Sequence, residues 1–156
     1  MKKFVSKVLS SMLLFSLVLS FSACSAPANK EQKTAEQLVS ELKTAGLPVG
    51  DTIVYTAEND VNKLLGRPNQ YVSKANFADT TVDKGEDKEN PVGGTIETFN
   101  NADDLKKRKE YCESITKSNS MLTQYHYVNG NYYLRIDGAV TPENAKKYEE
   151  AFAKLK

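Results

Sequence analysis

Thr123-Gln124-Tyr125-His126-Tyr127-Val128-Asn129-Gly130-Asn131-Tyr132-Tyr133-Leu134-Arg135-Ile136 sets two β-prone runs around a glycine flanked by asparagines. An Asn-Gly step between such runs is the strongest short-range hairpin signal, because the tight loop needs positive φ and glycine reaches it without steric penalty. The loop is Asn129-Gly130 or Gly130-Asn131. Both place Tyr125 and Tyr127 on one face with Tyr132, Leu134 and Ile136, since side chains alternate along a strand. That set is expected to face the core. His126, Val128, Tyr133 and Arg135 then point the other way and form a candidate recognition patch, an aromatic and a guanidinium being good contact chemistry.

Three amphipathic helices are expected around the hairpin. Before it, Asn101 caps a helix over 102–118 with Asp103 and Asp104 in its first turn, and Leu105, Cys112 and Ile115 form its apolar stripe. After it, Thr141 and Pro142 open a helix carrying Ala145, Tyr148, Phe152 and Leu155 on one face. Near the start of the domain, Thr34 caps a helix with Ala35, Leu38, Val39, Leu42 and Ala45 on one face, ended by Gly46 and Pro48. Strands are expected at 53–56, 73–78 and 95–99, with a short helix at 58–65 closed by Gly66 and Pro68. The order predicts an α+β fold: a mostly antiparallel sheet of about five strands with helices packed on one face, the open face being available as a binding surface.

Residues 1–24 read as an address. Lys2, Lys3 and Lys7 precede an apolar segment broken by Ser10, Ser11, Ser16 and Ser20, which is the layout of an export signal and is short for a membrane span. Its end, Phe21-Ser22-Ala23-Cys24, resembles the lipobox of bacterial lipoproteins, in which the cysteine receives a diacylglyceryl group and becomes the new N-terminus. That resemblance implies a signal peptide over 1–23, a lipidated Cys24 with a tether over 24–33, and a single domain over 34–156. It also implies a protein anchored to the extracytoplasmic face of the cell membrane through its lipid. Two or more acyl chains anchor stably where one does not. Removing 1–23 takes away three of the 21 basic residues and none of the 20 acidic ones, leaving 18 against 20 and a net charge of −2. No basic surplus points to nucleic acid.

Little in the chain spells out a reaction. With Cys24 assigned to the lipid, Cys112 is left without a disulfide partner, and its place on an apolar stripe suits a small hydrophobe better than a nucleophile. His126 is the only histidine, which excludes a multi-histidine metal cluster. The acidic stretch 79–91 lacks the alternate-residue spacing of an EF-hand, and Gly93-Gly94 reads as a turn rather than a phosphate cradle. No cofactor and no metal site is therefore expected.

Leu64-Leu65-Gly66-Arg67-Pro68-Asn69-Gln70-Tyr71, followed by Gly93-Gly94-Thr95-Ile96-Glu97, resembles a motif shared by small, functionally uncharacterised lipoproteins and extracellular domains of Gram-positive bacteria. The resemblance implies a shared fold and no known activity. Glu58, Val61, Leu65, Gly66 and Pro68 also echo, loosely, a pattern in the small outer-membrane assembly lipoproteins of Gram-negative bacteria. Arg67, Asn69, Gln70 and Tyr71 are candidate ligand contacts on an ordered loop, beside His126, Tyr133 and Arg135. The function expected is a membrane-anchored surface lipoprotein acting as a binding or accessory module toward an extracellular or cell-envelope protein or glycan. An exported hydrolase with a carboxylate-based site is the alternative.

Overall fold

The computed structural model describes residues 32–83 and 88–155. The export signal, the lipobox and most of the tether lie outside these residues, as do 84–87 of the acidic stretch. Among these residues the elements run α1 (Ala35–Thr44), β1 (Val49–Val54), β2 (Ser73–Asp79), β3 (Gly93–Thr98), α2 (Ala102–Ser118), β4 (Gln124–Asn129), β5 (Tyr132–Asp137) and α3 (Pro142–Phe152), with a 3₁₀ turn, Ser120–Leu122, before β4. The five strands form one sheet in the order β1-β2-β3-β5-β4, and every neighbouring pair is antiparallel. The fold is α+β, as the element order predicts. The edges are β1, whose register breaks between Val49 and Thr52, and β4, which pairs with β5 without a break.

The hairpin resolves the open choice of loop. Asn129 pairs with Tyr132, so the loop is Gly130-Asn131, and Gly130 takes φ +56, the left-handed value that primed hairpin turns need. Tyr125 pairs with Ile136 and Tyr127 with Leu134, which puts all five expected residues on one face. Leu134 and Ile136 are buried there, with Tyr125, Tyr127 and Tyr132 packed around them. Helices α1 and α3 cover this face with Leu38, Leu42, Tyr148 and Phe152, and the Tyr148 and Phe77 rings meet at 5.6 Å. Each such fully buried side chain contributes about 1.5–3 kcal/mol by leaving water.

Helix α2 does not join them. It packs on the opposite face, where Leu105 and Cys112 form a second buried cluster with Tyr71, Phe99 and Tyr133. The sheet is thus covered on both sides, which corrects the expectation of helices on one face. The reason lies in the alternation itself. Tyr133 belongs to the outward set of the hairpin yet has no solvent exposure, so that face also needed an apolar cover.

Two local expectations also change. Gly93-Gly94 is not a turn but the start of β3, set against β2 where a Cβ on Gly93 would lie 2.3 Å from the Asp79 amide nitrogen and one on Gly94 would lie 2.4 Å from the Phe77 ring. The expected helix over 58–65 is a series of turns. Its would-be helical amides, Leu64 N and Leu65 N, donate instead to the Asp60 carboxylate, and Lys63 sits at φ +53, outside the helical region.

Candidate functional site

The site grows from the polar positions of the α2-facing side of the sheet. Strand alternation sends Lys74 and Asn76 of β2, Thr95 and Glu97 of β3 and Arg135 of β5 to that face, opposite Phe77, Ile96 and Leu134. Helix α2 brings Arg108, Tyr111 and Cys112 over it, and the loop leading to Tyr71 closes the third side. Between them lies a cleft of about 860 Å³, within the range of small-molecule sites.

Two buried ion-pair clusters build its floor. In the first, Lys74 Nζ donates to Asp60 Oδ1 at 3.0 Å, with side-chain exposures of 5% and 0%. Asp60 Oδ2 also accepts from Tyr71 OH at 2.7 Å, Leu64 N at 2.9 Å and Leu65 N at 3.1 Å. Burial alone would push the Asp60 carboxyl up, but the donors from Tyr71, Leu64, Lys74 and Leu65 outweigh it and hold it well below the usual carboxylate range. The same burial, with the hydrogen bond to Asp60, pushes the Tyr71 phenol up, so it stays a donor. Lys74 Nζ also lies 4.2 Å from the Tyr55 ring centroid, a desolvated cation–π contact.

In the second cluster a single carboxylate serves two guanidiniums. Glu97, with no exposure, accepts from Arg108 Nε at 3.1 Å and Nη2 at 2.9 Å, a bidentate pair, and from Arg135 Nη2 at 3.2 Å. Burial works against the Arg108 charge, but the bonds to Glu97 overcome this and raise its pKa. Arg135 Nε is buried and has no acceptor among the described residues. Lys107, 71% exposed at the rim, approaches Asp104 only to 4.0 Å. Amides complete the wall: Asn76 donates to Tyr55 OH and accepts from Thr95 Oγ1, while Asn69 and Gln70 line the loop side.

Of the residues singled out in the sequence, Asn69, Gln70 and Arg135 meet at this cleft. Tyr71 and Tyr133 are fully buried and shape it from behind. Arg67 is exposed and lies outside the lining. His126 is also outside it: its Nδ1 is 2.6 Å from Tyr133 OH, and burial is the main cause that lowers its pKa. The motif residues serve mainly to shape the loop, with Gly66 N bonding to Tyr71 O at 2.9 Å, Gln70 N to Arg67 O at 3.1 Å, and Asn69 at φ +62.

Lys74, Glu97, Arg108, Asp60 and Lys107 are among the site residues that sequence reasoning passed over. Two of them carried a signal: Lys74 and Glu97 each adjoin an apolar residue, Ala75 and Ile96, within a predicted strand, where a charge taken into the sheet needs a partner. Asp60 and Arg108 looked like ordinary surface charges.

Fold and site together define an α+β domain whose sheet carries an apolar core on one face and a polar, cation-lined cleft on the other. Comparison with protein-family models, with curated proteins and with solved structures finds no match.

Proposed function

We propose that this chain is a membrane-anchored surface lipoprotein whose domain is a binding module, with the cleft between α2 and the sheet as its ligand site. The observation that carries the reading is the composition of the cleft wall. Four cationic side chains and several amides converge on it, while its carboxylates, Asp60 and Glu97, lie behind and are fully engaged in ion pairs. A carboxylate hydrolase needs an acid and a base that can reach substrate, and these two are spent on the floor. The lipid address at Cys24 and the resemblance of the Leu64–Tyr71 motif to surface lipoproteins support the same reading.

Gln32 Nε2 donates to Phe99 O at 2.7 Å and Lys33 N to Tyr132 OH at 3.2 Å, so the last tether residues are pinned to the sheet. The test places a photo-crosslinking residue at Gln70, on the cleft wall, in the full chain in its host, with Lys146 on α3 as the control position. An adduct specific to position 70 is expected. Equal labelling at both positions, or none at position 70, would overturn the reading.

A further inference from the structure

We propose that the cleft takes an oxyanion, a carboxylate or phosphate group carried on a hydroxyl- or amide-bearing small molecule, and that Arg135 and Lys107 receive it. The inference rests on the cleft being the binding site and adds the charge of what it binds. Its basis is the charge balance of the cleft. Glu97 is one carboxylate between Arg108 and Arg135, so the pair of guanidiniums keeps one positive charge uncompensated. Arg108 holds Glu97 in the bidentate geometry, with Nε and Nη2 on both carboxylate oxygens. Among the described residues Arg135 has one 3.2 Å bond to Glu97, a long 3.5 Å approach to Gln124 Oε1 and a 5.8 Å approach to the Tyr133 ring, and its Nε finds no acceptor.

Elsewhere on the wall Lys74 is neutralised by Asp60, while Lys107 has only the 4.0 Å approach to Asp104. Asp137, two residues along β5 on the same face as Arg135, accepts from Ala139 N and lines neighbouring hollows rather than this cleft. Two guanidiniums with side-chain exposures of only 10% and 13% share one carboxylate, and they carry a desolvation cost that an incoming anion offsets. The fork of an arginine matches the two oxygens of a carboxylate or phosphate. Asn69, Gln70 and Asn76 supply both donors and acceptors for the ligand's neutral part.

The experiment follows the arginine Nε–Hε NMR signals of the full-length chain in non-ionic detergent micelles during titration with inorganic phosphate and with acetate at low salt. Two matched pairs then distinguish the sources: N-acetylmuramic acid against N-acetylglucosamine, and glycerol 1-phosphate against glycerol. A saturable shift of the Arg135 signal is expected, with the charged member of one pair binding about tenfold or more tighter than its neutral partner.

Arg135→Gln is expected to abolish that preference while the fold persists, because Arg108 alone still pairs Glu97. Lys107→Gln changes an exposed side chain and carries no folding risk; it is expected to weaken the preference several-fold. Lys146→Gln on α3 is expected to change nothing. No saturable shift with any anion, equal affinity within both pairs, or an unchanged preference in Arg135→Gln would each overturn the inference. A cleft-specific crosslink at position 70 together with any of those results would leave the binding module standing without its anion, so the two failures are distinguishable.

Discussion

Asp60 is a carboxylate without solvent exposure, and its oxygens accept from Lys74, Tyr71 and the amides of Asn62, Leu64 and Leu65. Removing its charge strands a buried ammonium. Asp60→Asn is therefore expected to cost about 3–5 kcal/mol in denaturant unfolding, and a Lys74→Met change in the same chain to recover much of that loss. Because the folded carboxyl titrates below its unfolded value, the unfolded chain binds more protons in acid. Its contribution is thus complete above about pH 4 and is lost as pH falls toward the folded pKa. The stability of the native chain should drop through that acid window, and Asp60→Asn should flatten the drop.

His126 follows the same sign for a different reason. Burial lowers its pKa, so stability falls as pH drops below about 6.5, where the unfolded histidine takes up a proton. His126→Gln removes that dependence, which unfolding curves at pH 7 and pH 5.5 measure directly.

Among the elements, the strands β2 and β3 depend on glycine for a reason different from the hairpin's. At Gly94 a methyl group would collide with the Phe77 ring, whereas at Gly130 the space is open and only the left-handed φ of +56 is at issue. Gly94→Ala is expected to cost about 2–3 kcal/mol through overpacking and Gly130→Ala about 1–2 kcal/mol through backbone strain, an order that thermal or chemical unfolding checks. Elements with a purely local code were legible in the sequence: the Asn-Gly step, and the helices capped by Thr34, Asn101 and Thr141. Thr34 even completes a capping box with Gln37. The turns at 58–65 were not legible, because a buried ion pair to Lys74, fourteen residues away, decides where the Leu64 and Leu65 amides point. Helical patterning alone could not have carried that information.

At the scale of the whole molecule, alternation told which residues share a face but not how many faces are covered. The hairpin put Tyr133 with Arg135, and only the arrival of α2 turned one of them into core and the other into cleft wall. The candidate residues Asn69, Gln70 and Arg135 therefore line the cleft, while of the carboxylates beneath them Asp60 gave no sign in the sequence. The lipid address proposed for the start of the chain is tested at this scale too. Cys24→Ala is expected to shift the protein out of the membrane fraction, which fractionation of cells expressing the full chain measures.

The two sheet edges differ in what they offer to another copy of the chain. At β1 the break in register between Val49 and Thr52 spoils the row of free amides and carbonyls, a common protection against strand addition. The β4 edge pairs regularly with β5 along its whole length, and Val128 on it is nearly half exposed. Aggregation in concentrated preparations thus has a preferred starting line. A lysine at position 128 should raise the concentration the protein tolerates before scattering increases.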